Sequence, residues 1–187
     1  MKPHMSLQEI NLLDKYTSKC NNYFEFGVGG STVHIYRNTK AIIRGVDSSK
    51  TWLSSVRKLV DRDRVSLKYV DIGPVGDWGR PIDDSFKHKW SDYYTSIHRT
   101  DIEPDFILVD GRFRVCCILQ SILFSIKKDI DPVISLHDCQ RLGYKHGTDY
   151  LECIDRSDNL AMFKISKDRI DIDMLNSTSG EFKYNFG

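Results

Sequence analysis

The chain has 187 residues, of which 40% are hydrophobic and 28% charged, and its charges nearly cancel to a formal +1. That length can bury a sizeable core, and the balance excludes a disordered chain. The near-neutral charge leaves no global field to draw the protein to nucleic acid or an anionic membrane, and no apolar run reaches the roughly 18–20 residues of a membrane helix.

The N-terminal stretch MKPHMSLQEI has no apolar segment of the kind found in a signal peptide. Ser6 can cap a first helix, in which Leu7, Ile10, Leu12, Leu13 and Tyr16 recur at helical spacing. A short strand, Tyr23 to Phe26, stops at Gly27-Val28-Gly29-Gly30, and Ser31 and Thr32 can open the next helix. Ala41 to Val46 reads as a second strand ending at Asp47, with Ser48 or Ser49 capping a helix that runs to about Val60. Val65 to Val70 reads as a third strand, ending at Asp71.

The stretch from Ile72 to Trp90 is rich in Gly and Pro and holds two tryptophans, the mark of a functional loop or lid. Lys89 to Arg99 can form a helix. Phe106 to Val109 is an apolar run ending at Asp110, followed by a helix from about Arg112 to Ile126. Cys116 and Cys117 lie within that helix and behave as small core residues. The five cysteines are an odd number without tandem C-x-x-C spacing, which points to a reduced, cytoplasmic protein. Pro132 to Leu136 makes a fifth strand ending at His137-Asp138, and Leu160 to Ile165 with Ile170 to Met174 suits a terminal antiparallel pair.

Strands alternating with helices imply an α/β, doubly wound, mostly parallel sheet in one domain over residues 1–187. In such sheets ligands bind beyond the carboxyl ends of the strands. Here those ends carry Glu25, Gly27, Asp47, Asp71, Asp110, His137 and Asp138. Glycine lets backbone approach a ligand, and the following helix start offers N–H donors to a carboxylate. Asp47 follows Gly27 by 20 residues, where its carboxylate can accept hydrogen bonds from two ribose hydroxyls. Together the two features specify an adenosine-bearing ligand.

A dinucleotide G-x-G-x-x-G pattern would need glycine where Thr32 stands, and no G-K-S/T follows the glycines. Glu25-Phe26-Gly27-Val28-Gly29 instead resembles the first motif of class I S-adenosylmethionine (SAM)-dependent methyltransferases. The resemblance extends through Asp47, Asp71 and the Asp110 strand to a terminal hairpin, and it implies a seven-stranded sheet. It further implies that Glu25 and the glycines Gly27, Gly29 and Gly30 surround the methionine end of SAM, with Asp47 on the ribose and Asp71 near the adenine; Ser31, Ser48 and Asp110 are further candidate cofactor contacts. A glycine turn that only joins strand to helix is the competing reading.

Phe106-Ile107-Leu108-Val109-Asp110-Gly111 resembles the fourth strand of small-molecule O-methyltransferases. In their metal-dependent branch the matching aspartate, with an Asp-Asn pair after the fifth strand, holds a divalent cation. The corresponding set here is Asp110, His137 and Asp138, which would take Mg²⁺ or Mn²⁺. Against this, Asp110 could satisfy backbone donors and His137 could be a buried hydrogen-bonding residue. Where that branch has a lysine base, this chain has Arg112, Phe113 and Arg114, so His137 is the candidate base beside Asp110. Trp78, Arg80, Arg112 and Arg114 are candidates for holding the acceptor.

The expected activity is methyl transfer from SAM to an oxygen or nitrogen of a small-molecule or saccharide acceptor, with a homodimer as one compatible assembly. Neither nucleic acid nor membrane is an expected partner. A non-catalytic SAM- or nucleoside-binding module and a metal-dependent hydrolase using Asp110, His137 and Asp138 are the alternatives.

Overall fold

The computed structural model describes residues Met1–Gly187. Local sequence governs the first element closely. The Ser6 hydroxyl accepts the Glu9 N–H while the Glu9 carboxylate accepts the Ser6 N–H, a reciprocal cap that opens α1 (Leu7–Thr17).

Seven strands follow: β1 (Asn22–Phe26), β2 (Ile42–Asp47), β3 (Val65–Tyr69), β4 (Phe106–Val109), β5 (Val133–His137), β6 (Leu151–Ser157) and β7 (Leu160–Ile165). They form one sheet in the order β3-β2-β1-β4-β5-β7-β6. The first five are mutually parallel, and β7 runs antiparallel between β5 and β6. The remaining helices are α2 (Gly30–Asn38), α3 (Lys50–Arg57), α4 (Ser91–Tyr94), α5 (Arg114–Lys128), α6 (Lys145–Thr148) and α7 (Ile172–Phe182). The expected mostly parallel sheet with an antiparallel end is therefore present.

The composition of the terminal hairpin differs from the sequence reading. Leu160–Ile165 pairs with Leu151–Ser157, which precedes it, and not with Ile170 to Met174. The Asp171 side chain accepts the Met174 N–H at 3.0 Å and so caps α7, which converts that apolar run into helix and buries Leu175. The true partner, β6, is an edge strand whose middle residues face solvent, so it lacks the apolar alternation that marks a half-buried strand. The expected helix over Lys89 to Arg99 is a single α-turn, α4, continued by a 3₁₀ stretch over Thr95–Arg99.

Side chains of β1 and β4 alternate between two cores, one on each face. Phe24, Phe26, Ile107 and Val109 pack with α4, α5 and α7, whereas Tyr23, Phe106 and Leu108 pack with α1, α2 and α3. Successive strands after β1 step outward to β2 and β3, and the chain then returns to the other side of β1 as β4. The order thus reverses between β1 and β4, and a crevice at their carboxyl ends is the expected place for a ligand.

Candidate functional site at the strand-order reversal

At the reversal the two loops touch through backbone alone. Gly27 has φ +94°, and its N–H donates to the Val46 carbonyl at 2.9 Å. A Cβ built on Gly27 would lie 2.6 Å from the Gly111 nitrogen, and one on Gly111 would collide with the Tyr93 hydroxyl. Only glycine fits at either position. Gly29 sits under the Trp52 indole, 3.2 Å from where its Cβ would be, and Gly30 lies against the Lys2 and Pro3 backbone. The turn is thereby packed closely on neighbouring backbone at Gly27 and Gly30 and on the Trp52 indole at Gly29.

Glu25 lies beneath this turn with no solvent exposure. Its carboxyl accepts hydrogen bonds from the hydroxyls of Tyr23 (3.0 Å), Ser31 (3.0 Å) and Thr32. Thr32 in turn accepts the Gly29 N–H at 2.9 Å. Burial pushes the Glu25 carboxyl up to about 8, against the opposing hydroxyl bonds. Glu25 and Ser31 therefore brace the first turn of α2 from below.

Asp47 ties the turn to α3. One oxygen accepts the Val28 N–H at 3.1 Å and the other the Ser49 N–H at 2.7 Å. Burial raises its carboxyl to about 6, opposed by these backbone donors and by the charge of Arg112. The buried Ser48 faces the loop after β3, with its hydroxyl 3.3 Å from a Cβ built on Gly79. Asp71 is exposed and accepts the Gly73 N–H (3.1 Å) and the Tyr69 hydroxyl (3.2 Å). Trp78 is 77% exposed at φ 59°, a left-handed conformation costly to any residue with a Cβ, and its ring centroid is 5.8 Å from that of His4. The N-terminal segment and the Trp78 turn thus flank the glycine turn on one side.

The three residues expected to hold a metal do come together, but around an arginine. Arg114 is 3% exposed and contacts Asp110 (3.2 Å) and Asp138 (3.1 Å), while also donating to the backbone carbonyls of Asp110 and Gly111. Arg141 adds a second cation to Asp138 at 2.8 Å. The guanidinium stands where a cation would have to stand, and no group of three potential ligand side chains is available for one. The donor set does not fit a metal. For the same reason Arg114, expected to grip the acceptor, instead clips the ends of β4 and β5 together.

His137 is held on one side by Asp110 and faces a second carboxylate on the other. Its Nδ1 lies 3.1 Å from Asp110, and its buried Nε2 faces Glu9 of α1 at 3.7 Å. Burial lowers its pKa, but the Asp110 bond and the charges of Asp110, Asp138 and Glu9 raise it overall. The raised pKa favours the charged form of the ring, which the neighbouring carboxylates stabilise. Asp110 mirrors it, since burial raises its pKa but His137, Arg114 and Arg112 lower it overall.

Arg112 differs from Arg114. It is 7% exposed, yet Nε and Nη1 have no hydrogen-bond partner. Its pKa is lowered first by burial and then by the charges of Arg114 and Arg80. Sequence reasoning placed Arg112 and Arg80 at this site, but it missed Trp52, Gly111 and Glu9. The Gly27–Gly111 contact follows from tertiary approach and leaves no local signal beyond the two glycines themselves. A cavity of about 510 Å³, lined by Lys19, Arg37, Lys40 and Arg64 among others, opens near the opposite, amino ends of the strands and is not part of this site.

No family model matches the chain, and no curated protein does. Solved structures do. A methyltransferase-like protein from Silicibacter pomeroyi DSS-3 superposes with a TM-score of 0.83 at 25% identity, covering 98% of this chain and 97% of its own. A ribosomal protein methylase from Lactobacillus delbrueckii subsp. bulgaricus matches with a TM-score of 0.51 at 9% identity, over 85% of this chain and 76% of its own. A methyltransferase complexed with SAH matches at 0.53 and 11% identity, over 86% of this chain and 50% of its own. The chain has the class I methyltransferase fold.

Proposed function

We propose that this protein is a SAM-dependent methyltransferase acting on an oxygen or nitrogen of a small acceptor, a saccharide among them. The observation that carries this reading is the glycine turn at Gly27 and Gly29, where only glycine packs at Gly27, set beside the Asp47 carboxylate at the strand-order reversal. A Cβ at Gly27 would collide with Gly111, so the turn keeps bare backbone beside Asp47, whose two oxygens accept the Val28 and Ser49 N–H groups and retain lone pairs for ribose hydroxyls. Ser48 and the exposed Trp78 would border the nucleoside, while Glu25 and Ser31 act from beneath by holding the turn.

When bound, SAM supplies an activated methyl group. The protein's share is to hold the acceptor's nucleophile in line and to keep water out. His137 is buried with its Nδ1 engaged by Asp110, so it is not a freely exposed histidine base. The acceptor atom is then an amine with an available lone pair or an oxygen that already carries its charge. Localisation in the cytoplasm agrees with five unpaired cysteines, and no helix is long and apolar enough to cross a membrane. Calorimetric titration with SAM and S-adenosylhomocysteine tests the proposal. Micromolar binding that is lost in Asp47→Ala supports it, and no binding to the wild type overturns it.

A further inference from the structure

We infer that the cavity at the amino ends of the strands is a second binding site, which takes a small molecule through its phosphate or diphosphate group. Its volume of about 510 Å³ falls within the roughly 300–1,000 Å³ of small-molecule sites. Four cations from four places in the chain line it. Lys19 lies between α1 and β1, Arg37 in the last turn of α2, Lys40 between α2 and β2, and Arg64 immediately before β3. A strand's length, roughly 15 Å, separates this end of the sheet from the glycine turn. The inference is therefore independent of the methyl-transfer reading.

No carboxylate lines the cavity, and the ion pairs of the chain all use other cations. Asp105 reaches the rim at Asn21, but there its Oδ2 accepts the Asn21 and Asn22 N–H groups at 2.8 and 2.9 Å. Cations at the carboxyl end of a helix ordinarily complement its open carbonyls. Here other groups already do so. The Arg64 guanidinium stacks 4.5 Å from the Tyr36 ring centroid and donates to the carbonyls of Tyr36 (2.8 Å), Thr39 (3.0 Å) and Ala41 (3.4 Å). At the end of α1, the Ser18 hydroxyl and the Cys20 N–H donate to the carbonyls of Lys15 and Thr17. Lys19, Arg37 and Lys40 are left exposed, with no part in closing either helix.

Three carbonyls and a ring hold Arg64 in place, yet its Nε hydrogen and one on Nη2 have no protein partner. Arg44 grips the Asp101 carboxylate through these same two nitrogens, at 2.6 and 2.8 Å. Arg64 thus presents a fixed fork for an oxyanion, and the two lysines and Arg37 add charge around it. Four like charges around one cavity repel one another, and an anion of more than one charge relieves that repulsion better than a carboxylate does. A phosphate carries about −1.5 to −2 charges and three acceptor oxygens. The overall charge of only +1 confines the attraction to this cavity and favours a small ligand over a nucleic-acid backbone.

Calorimetry of the full chain at low ionic strength, with inorganic pyrophosphate as the probe, tests this. Saturable binding of one pyrophosphate per chain is expected, weakening as salt is added. The triple variant Lys19→Gln/Arg37→Gln/Lys40→Gln should lose at least about tenfold in affinity, with its melting temperature and S-adenosylhomocysteine binding unchanged. The triple variant Lys127→Gln/Lys145→Gln/Lys167→Gln removes the same charge from exposed positions elsewhere and should bind pyrophosphate as the wild type does. No saturable binding to the wild type overturns the inference, as does an equal loss in both triple variants, which would mean diffuse attraction by net charge. Tighter binding of a single-stranded oligonucleotide than of pyrophosphate, lost in the first triple variant, would overturn the small-molecule assignment. The methyl-transfer reading fails separately, on the absence of S-adenosylhomocysteine binding to the wild type.

Discussion

Gly27 and Gly111 meet backbone to backbone where the strand order reverses, so closely that a Cβ on Gly27 would sit 2.6 Å from the Gly111 nitrogen. The first prediction follows from that contact. Gly27→Ala must adopt φ near +94°, at about 1–2 kcal/mol, and must also push apart two loops, at about 1–3 kcal/mol more. Urea denaturation should show a loss of at least ~2 kcal/mol. Gly111→Ala clashes instead with the Tyr93 hydroxyl. Tyr93→Phe should therefore recover part of its loss, and strict additivity in that double-mutant cycle would contradict the packing described.

Glu25 makes stability depend on pH in a direction unusual for a carboxylic acid. Its folded pKa of about 8 lies above the ordinary value of 4.5 because burial disfavours its charged form. Between those two values the folded state keeps a proton that the unfolded state has released, so stability falls as pH rises through that window. The full contribution is present below pH 4.5, and the slope for one proton is about 1.4 kcal/mol per pH unit. Chemical denaturation of Glu25→Gln from pH 5 to 8 should show this slope removed relative to wild type. An unchanged slope would mean that another group carries it.

Arg114 occupies the centre of the Asp110–His137–Asp138 cluster, and two outcomes follow. Arg114→Met leaves two carboxylates facing each other without their shared cation. The loss should be at least ~2 kcal/mol, below the ~3–5 kcal/mol of a fully buried pair because both aspartates keep some exposure. Mg²⁺ or Mn²⁺ should leave the wild-type melting temperature unchanged, and a chelator should leave methyl transfer intact. A melting shift with either ion, abolished in Asp138→Asn, would restore the metal reading.

The parts of the fold legible in the sequence were those governed by local chemistry. Ser6 and Glu9 cap a helix within three residues of each other, and the apolar runs of β1, β2 and β4 end at glycine or aspartate because those ends border the crevice. The hairpin was misread because β6 is a charged edge strand, while Ile170 to Met174 alternates like a strand and is turned into helix by one cap at Asp171. At the site, residue types identified the place but not the pairing. Asp110, His137 and Asp138 read as metal ligands because nothing local shows that Arg114 reaches between them. Arg112 and Arg114 are two positions apart and look alike in sequence, yet the first has unpartnered nitrogens and the second has none to spare.

Asp47 should make nucleoside binding fail in acid. Its carboxyl titrates at about 6 in the folded protein, and ribose hydroxyls donate to its ionised form. Affinity for S-adenosylhomocysteine should therefore be flat above pH 7 and weaken as pH falls through 6, by up to about tenfold per unit where the group is mostly protonated. Asp47→Asn keeps the shape but provides one acceptor oxygen in place of two, so Val28 and Ser49 compete for it and the ribose loses a charged partner. Removing hydrogen bonds to a charged group costs about 1.5–3 kcal/mol, or roughly 10- to 150-fold in affinity. Calorimetry of both proteins from pH 5 to 8 checks this. The variant should bind weakly with no inflection near 6, and an inflection that survives in Asp47→Asn would move the titrating group elsewhere and remove Asp47 from the ribose.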